Sequence, residues 1–374
     1  MPTTRPLLIQ VVAQLKPGRC GVSDHALLLA QELEAAFGIE TAFAVVNSSE
    51  PCETPFRRMY CGQSQLHEAC AALSQGHAAA VLVHLSGYGF SRDGAPAELA
   101  AALERVREDG HFRIAVYFHE LYATGMPWRS AFWHSRRQQR AVGRIARGCD
   151  LLVTNIGRHA AWLESQAPRR SQFPVRVLPV FSNVGEAETL VPMAEREPAM
   201  AIYGLAATRR HAYEQISLLA ETLCGLGIKE ILDMGPGSVA SAAAGGIPVR
   251  RMGELNAEEL GEVLSRARYG FVQHGAHCMA KSGVLGGLCA WGVVPLVAKP
   301  FVGEYDGLRD GVQVISPGTA ATARGAGLEG CSQAAWRWYA AHRLRAHASM
   351  YRDWLLSGTE DADSGGPEGS TAWG

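Results

Sequence analysis

The feature that most limits the fold of this chain is a repeated pairing: a short, nearly continuous apolar run, then a longer segment with apolar residues at helical spacing. Leu7–Ala13 is such a run; after the loop Gln14–Gly21, Ser23–Phe37 carries the helical period and stops before Gly38. Thr41–Val46, Ala79–Leu85, Arg113–Phe118, Leu151–Thr154 and Val175–Pro179 read as further strands, and Ala97–Arg107 and Arg136–Arg147 as helices. Strands without a polar face must be covered on both faces, so the alternation predicts a parallel sheet between helical layers.

The pattern stops and then restarts. Gly185–Pro198 is acidic, is interrupted by Pro192 and Pro198, and has no hydrophobic period, which marks a linker. Beyond it Met200–Gly204, Glu230–Met234, Val249–Met252, Tyr269–Gln273 and Val294–Val297 read as strands, and Ala212–Leu226, Ala257–Ala267 and Lys281–Trp291 as helices. A chain of 374 residues is long enough for two cores. The expected architecture is two Rossmann-like α/β domains, residues 1–184 and 199–331, joined by 185–198 and facing a central cleft. Ser332–Leu356 is amphipathic, carries Trp336, Trp338, Tyr339 and Trp354, and reads as one helix or a broken pair docked across both domains; peripheral contact with a membrane is the other use of such a face. Residues 357–374, rich in Gly, Ser, Asp and Glu, read as a disordered tail.

Composition removes several classes of function. Hydrophobic residues make up 47% and charged residues 19% of the chain, which suits packed cores, and the net charge of −1 gives no basic excess for nucleic acid. The arginines at 137, 140, 144 and 147 read as a solvated helix face. Nine scattered cysteines, with no C-x-x-C pair, indicate reduced thiols and a cytoplasmic location. No stretch reaches the roughly 20 apolar residues of a membrane span, and the N-terminus lacks the marks of a signal peptide.

In such an architecture ligands bind beyond the carboxyl ends of the strands, and four motifs lie there. The loop Lys16–Ser23 contains Gly18 and Gly21, which permit close backbone approach, and Ser23 is placed to cap the following helix; an ordinary turn has the same composition. His119 and Glu120 follow a strand and precede Gly125-Met126-Pro127-Trp128; the pair suits orienting sugar hydroxyls or moving a proton, while an isolated histidine is as readily a packing residue. Arg209 and Arg210 follow Tyr203-Gly204 near a helix start, where two guanidinium groups suit a diphosphate or simply face solvent. His274 and His277 precede Lys281, Ser282 and Gly283. Lys281 is one of only four lysines, and at a helix start its ammonium, the Ser282 hydroxyl and free N–H groups suit a phosphate. Two histidines here are too few for a metal centre.

Taken in this order, the motifs resemble the retaining GT-B glycosyltransferases of the family-4, or group-1, type. Gly21-Val22-Ser23-Asp24 is similar to that family's N-terminal glycine loop, His119-Glu120 to its N-domain histidine, Tyr203-Gly204 with Arg209-Arg210 to the start of its donor domain, and Ala290-Trp291-Gly292 through Val297 with Asp310-Gly311 to its closing signature. One departure stands out. The family's paired glutamates, aligned on Ala290-Trp291-Gly292, fall at Met279 and Gly287, and Glu304 in the next loop is the remaining candidate for the missing carboxylate.

The resemblance implies transfer of a sugar, with retention of configuration, from a nucleotide-diphospho-sugar to a carbohydrate, lipid-linked or small-molecule acceptor. His119 and Glu120 are the expected catalytic pair. Gly21, Ser23, Arg209, Arg210, His274, Lys281, Ser282, Gly283 and Glu304 are the expected substrate-binding residues. The nucleotide sugar is a co-substrate, and no separate cofactor, metal or nucleic-acid partner is expected. The missing glutamates also allow a non-catalytic scaffold, and a nucleotide-sugar epimerase is a third reading.

Overall fold

A computed structural model describes residues 6–77, 79–124, 130–167, 175–239, 242–322 and 326–363. The first half forms a seven-stranded sheet from β1 (Leu7–Val12), β2 (Glu40–Val45), β3 (Arg57–Tyr60), β4 (Ala79–Leu85), β5 (Phe112–Phe118), β6 (Leu151–Thr154) and β7 (Arg176–Val177). Its order is β3-β2-β1-β4-β5-β6-β7 and every pairing is parallel. The second half forms a six-stranded sheet from β8 (Glu197–Tyr203), β9 (Glu230–Met234), β10 (Ala243–Ala244), β11 (Ile247–Gly253), β12 (Ala267–Val272) and β13 (Val294–Val297). Its order is β10-β11-β9-β8-β12-β13, parallel except at the β10–β11 edge. Both sheets reverse strand order in the middle, at β1/β4 and at β8/β12, and such reversals open a crevice at the carboxyl ends of the strands.

All of β1 and β4 is buried, as a central parallel strand covered on both faces requires. Two residues break their apolar runs. Gln10 and His84 are as buried as the neighbouring Ile9 and Val83. β3 was not expected from its sequence, Arg57-Arg58-Met59-Tyr60, because it is an edge strand whose polar side chains meet solvent.

The segment expected as one helix over 212–226 is instead two helices, Ala206–Ile216 and Ala220–Gly225. At the break the Ser217 hydroxyl donates to the Glu214 carbonyl, the local side-chain bond by which serine competes with continued helix. The earlier start carries Arg209 inside the first of these helices, and its side chain is 1% exposed. Its guanidinium donates to Asp233 Oδ1 at 2.6 Å, to the Gly204 carbonyl at 3.0 Å, and to the carbonyls of Pro236 and Gly237. Arg209 therefore ties the end of β8 to the end of β9, and a diphosphate would reach it only by displacing these partners. Arg210, the next residue, is exposed.

The C-terminal segment is a broken pair, with Ala326–Ala340 packed on the helix Gly283–Ala290 of the second half and Leu344–Asp363 packed on Gly21–Phe37 of the first. It continues to Asp363, past Ser357 where a tail was expected to begin. Glu186 accepts from the Tyr339 hydroxyl at 2.6 Å and from Leu344 N–H at 2.9 Å, so a carboxylate satisfies the start of the final helix. That helix is held by Arg113, which donates to the Trp354 carbonyl at 2.6 Å and lies over its ring, and by the Arg345–Glu32 pair at 2.5 Å. Among the described residues no helix is long and apolar enough to cross a membrane.

Two predictions concern stability. Arg209→Ala leaves Asp233 buried without its cation, so urea denaturation is expected to show a loss of about 3–5 kcal/mol, with Arg210→Ala within about 0.5 kcal/mol of the parent. Equal effects would contradict the strut. His342, at the joint between the last two helices, is buried with Nε2 unpartnered, and burial, then the nearby His347, lowers its pKa to about 3. An unfolded chain binds a proton there below about pH 6.5 that the folded chain refuses. The associated stability is complete above that pH and is lost as pH falls toward 3, with a slope of up to about 1.4 kcal/mol per pH unit. His342→Leu should flatten the pH dependence of the urea unfolding free energy between about pH 7.5 and 5 by up to that slope, and parallel curves would refute the assignment.

Candidate active site

The loop after β1 is braced from within. Ser23 lies in the first turn of the helix Gly21–Phe37, and its hydroxyl donates to the Gln14 carbonyl at 2.9 Å and accepts from Lys16 N–H at 3.0 Å. It stabilises the loop rather than capping the helix as the sequence suggested. Asp24 accepts from Gly18 N–H at 2.8 Å, where a backbone at φ +70° calls for glycine. The helix itself starts with no side-chain cap, since residue 20 is cysteine, and Gly21 is exposed. Its first N–H groups are thus open toward the crevice beyond β1 and β4.

That crevice is a cavity of about 380 Å³ lined from both halves of the chain. Gly21, His25, His119 and Glu120 come from the first half, and Asn183, His274, Lys281 and Gly283 line its other side. A smaller cavity of about 210 Å³ shares Glu120 and Lys281 and adds Tyr122, Arg158 and His159. Lys281 Nζ lies 3.4 Å from Glu120 Oε1, with the carboxylate side chain 54% exposed. So long and solvated a pair contributes under about 1 kcal/mol, and an incoming anion can take the lysine with little loss.

Ser282 is buried and caps the helix Gly283–Ala290, its hydroxyl accepting from Leu285 N–H at 3.3 Å. That hydroxyl is used within the protein, while the helix start at Gly283 faces the cavity. His274 Nδ1 is buried without a partner; burial first, then the charges of Lys281 and His211, lower its pKa to about 4. Neither cavity includes Arg209, Arg210 or Glu304 among its lining residues. Glu304 is exposed and paired with Arg309 at 2.6 Å. Residues 125–129, with Gly125-Met126-Pro127-Trp128, lie outside the described residues.

The two positions where the resemblance expects glutamates are closed by packing. Met279 is fully buried, and a Cβ at Gly287 would sit 2.2 Å from the Tyr203 hydroxyl, which donates to the Val284 carbonyl at 2.8 Å. No carboxylate side chain fits at residue 287 while Tyr203 keeps this bond.

Beneath the cavity floor is a group of histidines that the sequence reading did not assemble. His84 Nδ1 lies 3.3 Å from His119 Nε2, and His84 Nε2 lies 2.6 Å from Gln10 Oε1. His25 stacks on Phe181 at 4.1 Å and meets His84 and His119 edge-on at 5.5 and 5.0 Å. Both ring nitrogens of His25 are buried without a partner. Burial holds His84 at about 3, and burial reinforced by neighbouring histidines holds His25 and His119 well below the ordinary imidazole range. Burial of this kind disfavours the charged form of each ring. They stand at residues 25, 84 and 119, with no motif spacing. The signal open to sequence was the pair of polar residues, Gln10 and His84, inside otherwise apolar strands.

No family model and no curated protein sequence matches the chain. Solved structures do. An alpha-glucosyltransferase in complex with UDP and a 13-mer DNA superposes with a TM-score of 0.56 at 11% identity, covering 94% of this chain and 99% of that one. The UDP-forming α,α-trehalose-phosphate synthase of Burkholderia vietnamiensis gives 0.59 at 11% identity over 96% and 98% of the two chains. HepE of Anabaena, in complex with UDP and glucose, gives 0.58 at 10% identity over 94% and 99%. At these identities the likeness concerns architecture, and on that basis the chain has the GT-B fold, two Rossmann-like α/β units around a cleft.

Proposed function

We propose that this protein is a glycosyltransferase that takes a sugar from a nucleotide-diphospho-sugar, with a uridine nucleotide as the donor. The observation that carries the reading is the larger cavity. It lies at the carboxyl ends of strands from both sheets, receives an uncapped helix start at Gly21 and a second helix start at Gly283, and has Lys281 on its wall. Helix starts and an ammonium are the groups that hold a diphosphate and stabilise it as it departs. That similar structures are complexes with UDP supports uridine.

In this reading Lys281 exchanges Glu120 for the diphosphate, and the N–H groups at Gly283 and Gly21 take the remaining oxygens. His119, neutral, accepts or donates a hydrogen bond to the sugar. Glu120, freed from Lys281, handles the acceptor proton. The acceptor, a carbohydrate, lipid-linked or small hydroxyl compound, enters by the smaller cavity beside Tyr122, Arg158 and His159. Retention of configuration is the outcome that the sequence resemblance implies. Arg209 acts on this site only through the backbone it ties together.

A second reading, a GT-B scaffold that binds a nucleotide sugar without turnover, draws on the packing at Met279 and Gly287, which leaves no carboxylate there for the donor ribose.

Thermal unfolding with UDP-, GDP-, ADP- and TDP-sugars tests both. The proposal expects a shift selective for UDP-sugars, equivalent to about 2.7 kcal/mol at a hundredfold excess over Kd, and at least a tenfold weaker Kd in Lys281→Ala. Absence of a shift with every donor would overturn it. A shift without UDP release across an acceptor panel would favour the scaffold.

A further inference from the structure

Of the histidines beneath the cavity only His119 has a part in the donor chemistry above, and the internal bonding of the group is incomplete. A chain of hydrogen bonds accounts for two of its members: His84 Nε2–H donates to Gln10 Oε1, which leaves His84 Nδ1 with a lone pair facing His119 Nε2. It does not account for His25. That imidazole is buried at the cavity wall, and its N–H and its lone pair both lack partners, an omission of about 1–3 kcal/mol for each group. Asn155 Oδ1, which borders the same cavity, and Gln10 Nε2 are also buried and unpartnered. Buried polar groups in folded proteins are ordinarily satisfied, so these orphans at one point are free to take a ligand.

The geometry points to a transition-metal ion. We propose that His25, His84 and His119 form a three-imidazole site for a borderline-soft divalent cation of the zinc class, open to the cleft at its fourth position. One nitrogen from each ring lies within 4.8 Å of the others. The 3.3 Å separation of His84 Nδ1 and His119 Nε2 is what two ligands on one tetrahedral ion show, given metal–nitrogen bonds of about 2.0–2.1 Å. His25 offers a nitrogen within 4.8 Å of both and would close to ligand distance on binding. The bond from His84 to Gln10 is the outer contact that fixes the tautomer of a ligating imidazole and aims its free lone pair.

The fourth position follows from the placement of the three rings. His25 and His119 form part of the cavity wall, while His84 lies behind them in β4. A bound ion would therefore present its open side to the cleft, to water or to a hydroxyl or phosphate oxygen of a bound compound. Asn155 Oδ1, unpartnered on that wall, is an acceptor for the proton of such a ligand. Three neutral ligands leave the ion's charge uncompensated, and Glu120 on the same wall is the nearby anion.

The test uses untagged full-length protein, stripped with a chelator and titrated with Co²⁺ and then Zn²⁺ alone, with no nucleotide sugar present, so its result does not depend on the donor proposal. Wild type is expected to take up about one ion per chain with the visible ligand-field bands of tetrahedral cobalt, lost on adding zinc, and X-ray absorption should show nitrogen neighbours at about 2.0 Å. His25→Phe keeps the ring stacked on Phe181 and should bind at least 100-fold more weakly; Gln10→Met, which removes only the outer bond, should lose about 10–100-fold. Absence of cobalt bands in the wild-type protein overturns the proposal whatever the variants do. Bands of full strength in His25→Phe overturn it as well, since they place the ion elsewhere, for instance at the exposed His67, Asp109 and His111 group.

Discussion

Everything the cleft can do depends on two separate sheets keeping their carboxyl ends toward each other, and one hydroxyl bears much of that alignment. Tyr339, in a helix packed on the second half, accepts from Ser182 N–H at 2.8 Å and donates to Glu186 at 2.6 Å. Glu186 in turn holds Leu344 N–H, where the chain turns back toward the first half. The crossing segment that carries the chain from one sheet to the other is thereby bonded to the segment that returns. His347 adds a bond to the Pro179 carbonyl, and Trp354 and Arg113 complete the return. Burial of Tyr339 strengthens each of these bonds, because water is excluded from competing for them.

Much of the fold was legible because a parallel sheet covered on both faces leaves an unambiguous trace. The expected strands Ala79–Leu85, Leu151–Thr154, Glu230–Met234 and Val294–Val297 have those same bounds in the structure. Elements that meet solvent were the ones missed: β3 with its arginines, and the helices Leu66–Ser74 and Gly157–Gln166, whose periods are short. In the site, sequence could place residues that follow directly on a strand, and Gly21, His119, Glu120, His274, Lys281 and Gly283 do lie around one cavity. It could not tell a guanidinium that faces a ligand from one that faces carbonyls. Arg209 and Arg210 differ in this respect by one helical step, about 100° of rotation. Nor could it see His25, which is one turn into a helix and looks, by spacing, like a core position.

The same physics explains why the polar residues of the two central strands matter more than their number suggests. A glutamine and a histidine within sheets of Val, Ile and Leu each forfeit hydration that their neighbours never had. A folded chain keeps such residues only where partners meet them. Asp233, similarly placed at the end of β9, has its partner in Arg209 at 2.6 Å. Gln10 and His84 satisfy one another in part; His84 Nδ1 faces His119 Nε2, and Gln10 Nε2 is left without a partner.

The second half shows the converse, where packing leaves no room for a polar side chain. With glycine at residue 287, the helix Gly283–Ala290 approaches Tyr203 closely enough for its hydroxyl to bond the Val284 and Gly283 carbonyls. Those carbonyls belong to the first turn of the helix, so the bonds fix its start, and with it Gly283 and the neighbouring Lys281, against β8. A glutamate at residue 287 would bring a carboxylate but drive Tyr203 away. The positive character of the cleft's second wall rests on Lys281 and the helix start at Gly283. Charge and free N–H groups favour anionic oxygens, so in the proposed reading this wall holds the diphosphate, and any choice among nucleosides falls to groups other than residues 279 and 287.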